Sequence, residues 1–461
     1  MRDLSGIVYF AIFGLSVALQ GSNFNLTADF AAANGCDDKC RETLNKANVA
    51  DLETFGQEFD FKWFETASNF SGSKPGDLLK LQSLDPKTPG LLVKPGTTVY
   101  RIQYTSQDLD NSTVPATAFI ALPFSPAKFK TSTSNESSAT DLFPLVAYAH
   151  GTSGVYSGCA PSNGPGLYDY DTWQLLVERG YAVVATDYAG LGNNATGHKY
   201  CSFPIQVNDI VHSVTAARKA MGQIFTKEWM AVGHSEGGGA VWKLAESEFV
   251  KADKGYIGTV SLAPAVKIAD MFEKHIDFIL ASGYVTLVAK ALQRFSPSYN
   301  FTMLGEIQRQ RMAVADMSQP CLAAQGTISV GLSRDQVISE KGLATDLSTV
   351  FKDWQAAMAP ANGGRTSAPM MVIQGLNDTA VVPQVTHDSW QAACDDSNEV
   401  HLREYAALDH SPVVVGAAAE WLAWIDARFN GEKTEGKCTQ VQRLPYDGAN
   451  VIAPPEKPPE E

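Results

Sequence analysis

A serine stands between glycines in WMAVGHSEGGGAVWKLAES, residues 229–247. A serine hydroxyl becomes a useful nucleophile only when a nearby base takes its proton. The pattern Gly-x-Ser-x-Gly is weak by itself, since about 7% of residues in average proteins are glycine. Its setting is stronger, because an apolar β-run at Met230–Val232 precedes it and a helix-forming run follows. Strand, strained turn with serine at the apex, and helix are the parts of a nucleophile elbow. Gly233 and Gly237 remove side chains at the turn, and Gly238, Gly239 and Ala240 let the helix lie close to the sheet. A purely structural turn needs glycine for positive φ but has no reason to present a hydroxyl, so Ser235 is read as the nucleophile.

Such an elbow fixes the chain order of its partners as serine, acid, histidine. Of the eight histidines, His150, His198, His212 and His234 precede Ser235, leaving His275, His387, His401 and His410. His275 falls in a helical interval, His387 in a helix-like stretch and His401 inside the predicted last strand. His410 follows that strand in the loop ALDHSP, where a general base is needed. The acid belongs in the turn after the penultimate strand, MMVIQGLNDTAVVP, whose only carboxylate is Asp378. It would hold the imidazole tautomer and stabilise the imidazolium. Asp409 adjoins the base, and Asp388 lies well past the strand end. Two backbone N–H groups must face the developing oxyanion. The sequence assigns these to Glu236, after the nucleophile, and to Thr152 in AYAHGTSGV, with Gly151 and Ser153 as neighbours able to substitute. The Glu236 side chain could equally be a surface carboxylate complementing the helix dipole.

The elements needed to place these residues are legible as strand–helix alternation. TVYRIQYTSQDLDNSTVPATAFIALP reads as an antiparallel hairpin. FPLVAYAHG, YAVVATDYAGLG, EWMAVGHS and GYIGTVSLAPA read as buried strands, with helices at YDTWQLLVERG, SFPIQVNDIVHSVTAARKAMG and GGGAVWKLAESE. Continuous apolar strands alternating with helices predict a mostly parallel sheet covered on both faces. The alternation stops over residues 266–368, far more than the two to six residues typical of a connection. That apolar, helical interval predicts a cap over the strand ends. The expected organisation is a leader at 1–21, an N-terminal extension and first core part at 22–265, the cap at 266–368, the second core part at 369–445, and a Pro/Glu-rich disordered tail at 446–461.

MRDLSGIVYFAIFGLSVALQGS has an early arginine, a short apolar run and small residues, the pattern of a secretory signal peptide. Secretion agrees with Asn-x-Ser/Thr sequons at Asn25, Asn69, Asn111, Asn135, Asn194, Asn300 and Asn377. A glycan on Asn377 would crowd the acid, so that one is expected to be unmodified. Cys36, Cys40, Cys159, Cys201, Cys321, Cys394 and Cys438 suit an oxidising compartment and form no paired zinc knuckles. An odd count leaves at least one thiol unpaired or intermolecular, and their spacing does not decide connectivity. A net charge of −14 argues against nucleic acid and against a basic membrane-surface binder.

Taken together, GSKPGDLLK, VYRIQYTSQD, HGTSG followed by CAPS, DYAGLG, GHSEGG, QGLNDTAVV and LDHSPV resemble the fungal and bacterial secretory lipase family of α/β-hydrolases. The resemblance covers most of the chain after the leader. It implies a secreted lipase or esterase acting on carboxylic esters through Ser235, Asp378 and His410, with no metal or cofactor and with transient contact at a lipid interface. It implies a helical cap between strands 6 and 7 of the fold, a Cys159–Cys321 disulfide tying cap to core, and a Cys394–Cys438 disulfide. Cys36, Cys40 and Cys201 have no counterpart there. Yeast members carry an aspartate near the oxyanion turn where this chain has HGTSG, closer to bacterial members. The family also includes esterases that deacetylate small secondary metabolites, a second reading. A peptidase or acyltransferase on the same fold is a third; the peptidase would want acids converging on the pocket, for which the cap offers Asp270, Glu273 and Asp277. A non-catalytic binding protein of this fold would have lost part of the triad, and none is lost.

Overall fold

The apolar runs become strands of one ten-stranded sheet in a computed structural model that describes residues 26–88, 90–129 and 142–453. The leader, Asn25, Asn135 and the tail from residue 454 lie outside the described residues. Helices α1 (Ala28–Ala33), α2 (Asp38–Phe55) and α3 (Phe61–Phe64) precede strands β1 (Leu78–Ser83), β2 (Thr98–Gln107), β3 (Thr113–Leu122) and β4 (Phe143–Ala149). Then follow α4 (Tyr170–Glu178), β5 (Ala182–Thr186), α5 (Phe203–Met221), β6 (Phe225–His234), α6 (Glu236–Ala245), α7 (Glu248–Ala252) and β7 (Tyr256–Leu262). The long interval holds α8 (Ile268–Lys274), α9 (Ile276–Ser282), α10 (Val285–Phe295), α11 (Glu306–Ser318), α12 (Leu322–Gln325), α13 (Arg334–Val337), α14 (Glu340–Ser348) and α15 (Val350–Met358). The chain closes with β8 (Met370–Gly375), α16 (Pro383–Asp395), β9 (Val400–Tyr405), α17 (Pro412–Gly416), α18 (Ala418–Phe429) and β10 (Thr439–Arg443).

The strand order is β1-β2-β3-β5-β4-β6-β7-β8-β9-β10. β1, β2, β3 and β5 pair antiparallel, and every pairing from β5 through β4 to β10 is parallel. The central parallel strands β4, β5, β7 and β8 are largely apolar because both of their faces are covered. Along β4, Leu145, Ala147 and Ala149 enter one core while Val146 and Tyr148 enter the other. Along β8 the same alternation sends Met370 and Val372 one way and Met371 and Ile373 the other. Helices α5 and α6 cover the first face, with Phe203, Val207 and Val241; α4 and α18 cover the second, with Trp173 and Trp421.

The hairpin predicted for residues 98–122 is β2–β3, in register from Thr98–Leu122 to Gln107–Thr113. Two strands lie outside the sequence reading. β1 extends the antiparallel edge, and β10 pairs parallel to β9, so the strand carrying His401 is not the last. Both are edge strands with exposed residues and little apolar alternation, the signal on which a strand is recognised. The Cys394–Cys438 disulfide joins the end of α16 to the residue before β10. A third disulfide, Cys36–Cys40, staples the loop entering α2, and Cys201 is a buried free thiol.

Helix α2 also reaches the long insertion. The buried Asp51 carboxylate accepts the N–H groups of Cys321, Ala323 and Ala324 at 2.9, 2.9 and 3.2 Å, capping α12. Cys159–Cys321 and a bridge between Gly154 and Cys321 tie the same point to the segment after β4. The sequon residues Asn69, Asn111, Asn194 and Asn300 are exposed, as is Asn377. No helix among the described residues is long and apolar enough to cross a membrane.

Asp209 on α5 is fully buried and accepts from Ser106 Oγ and, at 2.9 Å, from the Ala189 N–H. Burial outweighs those bonds and pushes its carboxyl up to about 7. Because the folded value lies above the unfolded one, the folded state holds the extra proton between about pH 4 and 7, and stability from this group falls as pH rises through that window. Asp209→Asn should therefore gain Tm relative to the parent between pH 5 and 8.5, by the equivalent of up to about 1.4 kcal/mol per pH unit within the window. Thermal melts of both proteins across that range check it; a constant difference would refute it.

Candidate active site

β6 ends at His234 and α6 starts at Glu236, so Ser235 alone makes the corner. Its backbone sits at φ 57°, ψ −118°, a strained conformation for a residue with a side chain. The flanking glycines are required by contact. A Cβ at Gly233 would lie 2.1 Å from the Gly237 carbonyl oxygen, one at Gly237 1.9 Å from that of Ala149, and one at Gly239 2.0 Å from that of Ala265. The Ser235 carbonyl accepts from Gly239 and Ala265, closing the turn against the segment after β7.

The turn after β8 presents Asp378, and the loop after β9 presents His410. His410 Nδ1 and Asp378 Oδ2 are 2.8 Å apart. Asp378 Oδ1 accepts the N–H groups of Ala380 and Val381 at 2.8 and 2.7 Å, and Gln374 Nε2 donates to Oδ2 at 2.9 Å. Burial opposes ionisation of this carboxyl, but the charge and hydrogen bond of His410 and the two N–H groups outweigh it and hold it below its ordinary range. Asp409 is otherwise occupied, accepting from Thr379 N–H and the His410 N–H at 2.7 Å each, and Asp388 accepts from Gln384 on α16.

The turn expected to hold the second oxyanion donor follows β4. Gly151 N–H donates to Asp169 Oδ2 at 2.8 Å, so this donor is spent and no substitute for Thr152. Tyr168 donates its hydroxyl to the Thr152 carbonyl, Thr152 Oγ1 and the Tyr200 hydroxyl are 3.1 Å apart, and Leu322 N–H bonds the Ser153 carbonyl. The Glu236 N–H is the first of α6 and has no intrahelical acceptor. The Glu236 side chain is 1% exposed, which rules out the surface reading. Its Oε1 accepts from Gln206 Nε2, from His198 Nε2 at 3.1 Å and from Cys201 N–H at 3.3 Å. These bonds anchor the start of α6 to the first turn of α5 and the loop before it.

Ser235 opens on a cavity of about 20 Å³, bounded by Tyr200, Ala265, Ile268, Met271, Phe272, Ile279, Tyr284, Val288, Ala380 and Val381. That is room for about one water molecule. Helices α8, α9 and α10 supply most of the wall, and no carboxylate is among the described lining residues. Asp270 bonds Gln355 and Asp277 bonds Arg334, while Glu273 is exposed. No cluster of three or more His, Cys, Asp or Glu among the described residues could hold a metal ion.

One pair was invisible to sequence reading. Asp169, at the start of α4 with φ 50°, receives His234 Nδ1 at 3.2 Å as well as Gly151 N–H and the Tyr148 hydroxyl. His234 precedes the serine, so the chain order of the elbow excludes it as the base, and Asp169 lies in GLYDYDT without any motif.

A family model described as "Serine aminopeptidase, S33" matches residues 165–413. Lipase 10 of Candida albicans is 24% identical over 412 residues, covering 84% of this chain and 83% of that protein. Among solved structures, Candida antarctica lipase A superposes with a TM-score of 0.63 at 14% identity, covering 85% of this chain and 90% of its own. The rice cell wall degrading esterase LipA from Xanthomonas oryzae gives 0.56 at 16% identity, covering 78% and 97%. Likeness at this level of identity shows a shared fold.

Proposed function

The chain belongs to the serine aminopeptidase family of α/β-hydrolases, and from that premise we propose that it is a secreted serine carboxylic-ester hydrolase. In this reading Ser235 Oγ attacks the ester carbonyl as His410 takes its proton. The tetrahedral oxyanion is held by the N–H groups of Thr152 and Glu236, the alcohol leaves with the proton from His410, and water assisted by His410 releases the acid from the acyl-enzyme. Asp378 keeps the imidazole oriented and offsets its positive charge.

The observation that carries the reading is the apolar wall beside Ser235, next to the Asp378–His410 hydrogen bond. An acyl chain suits that wall. A peptide amino terminus needs a carboxylate there, and none of the described lining residues supplies one. An acetyl group asks for the smallest widening of this cavity, so the reading starts from a short-chain ester. The likeness to lipases of Candida supports a second reading, in which α8–α10 shift and admit a long chain.

Hydrolysis of p-nitrophenyl acetate, butyrate and palmitate, above and below the micellar limit, separates these. Turnover confined to acetate and butyrate supports the short-chain esterase, and turnover strongest on palmitate micelles supports the lipase. Cleavage of aminoacyl p-nitroanilides with no ester turnover would overturn both.

A further inference from the structure

Two carboxylate–imidazole pairs lie side by side at the site. Beyond Asp378–His410, Asp169 and His234 are joined at 3.2 Å, and the rings of His234 and His410 are 4.8 Å apart between centroids. Asp169 lies against the turn that carries Thr152. Its Oδ2 holds the N–H of Gly151, the residue before Thr152, and a Cβ built on Gly151 would stand 3.3 Å from Asp169 Oδ2, His234 Nδ1 and Ser235 Cβ alike. Carboxylate, imidazole and nucleophile thus meet around one glycine of the oxyanion turn.

Resting on the ester-hydrolase reading above, we infer that His234 is a positioning residue whose second ring proton cancels the Asp169 charge beside the oxyanion. The carboxylate is needed because it anchors the turn through Gly151 and the Tyr148 hydroxyl. Left unbalanced, it would repel the charge that develops on the substrate oxygen, in a place shielded from water where Coulomb terms are strong. A protonated His234 makes the pair neutral and leaves only the hydrogen bonds.

The groups facing His234 agree. Asp169 reaches it from the start of α4, while Asp378 and His410 face it from the loops after β8 and β9. Burial opposes the charged imidazole, but the charge and hydrogen bond of Asp169, the charge of Asp378 and the backbone of His410 outweigh it and raise the pKa above the ordinary histidine value. Asp169 is held correspondingly low: burial opposes its ionisation, but His234, Tyr148 and Gly151 prevail. His234 faces both Asp169 and the His410 backbone, so the second ring proton is held between the two carboxylate–imidazole pairs.

The test is a double-mutant cycle on p-nitrophenyl acetate hydrolysis, with folding followed by near-UV circular dichroism. His234→Gln leaves the Asp169 charge uncompensated and should lower kcat about 30-fold with KM within about threefold, on the scale of one lost oxyanion donor or less. Asp169→Asn keeps an acceptor for Gly151 and removes the charge, and should lose less than about fivefold. The double variant should recover to near the Asp169→Asn rate, an effect that lost packing cannot produce. Additive losses, or His234→Gln at the parent rate, would overturn the inference. Should a variant fail to fold, ¹⁵N-histidine spectra of the Ser235→Ala protein decide: both His234 ring nitrogens protonated at pH 7.5 support it, and a neutral ring sinks it. Full ester turnover by Ser235→Ala would instead remove the catalytic reading itself.

Discussion

Ser235→Ala is expected to cut kcat on p-nitrophenyl acetate by about 10⁵–10⁶-fold, the scale of losing the nucleophile of a cooperative triad. A residual rate about 10³–10⁴ above water should persist, since the proposed oxyanion donors, the N–H groups of Thr152 and Glu236, remain. Alanine suits the test because it keeps the Cβ and hence the backbone at φ 57° in the same state of strain. The change removes one oxygen from a residue that is 6% exposed and leaves the Asp378–His410 bond in place. Steady-state turnover with matching melting curves checks it. A variant retaining more than about a tenth of parental kcat would mean that another nucleophile acts.

Gly237→Ala should produce the largest effect on folding. Its Cβ would stand 1.9 Å from the Ala149 carbonyl oxygen, 2.4 Å from that carbonyl carbon and 2.7 Å from the His150 oxygen. These are backbone atoms of β4 and the oxyanion turn, and no rotamer change relieves them. Either β4 parts from β6 or α6 tilts off the sheet, and each breaks burial shared by the whole core. A loss above about 4 kcal/mol is expected, in the range reached only by overpacking or comparable disruption. Gly72→Ala is the control, since its φ of 83° makes alanine strained but nothing lies within 4 Å. About 1 kcal/mol is expected there. Urea unfolding of both variants measures the contrast, and equal midpoints would refute the packing account.

How much was legible depends on the range of the interaction concerned. The alternation of strand and helix could be read because each central strand is covered on both faces, so its apolar run is continuous in sequence. β10, with the sequence TQVQR, could not, because an edge strand needs only backbone pairing and carries no apolar signature. The positions of Asp378 and His410 in turns after neighbouring strands were legible because the elbow sets the chain order in which an acid and a base would follow it. Their hydrogen bond then needs only that β8 and β9 be neighbours.

By itself the sequence determined the elbow at Ser235, the order of the residues behind it, the parallel sheet and the helical interval between β7 and β8. These follow from local periodicity and from glycines that sterics demand. Only the tertiary structure decided that Asp169 meets His234, that Asp51 caps α12 from far upstream, that Cys36 pairs with Cys40, and that the Glu236 side chain is buried against His198 and Gln206. Most of these contacts join residues far apart in the chain. A lone aspartate or glutamate looks the same in sequence whether water or a buried partner satisfies it. Its partner is chosen by how the helices settle on the sheet, and that packing is a property of the whole fold.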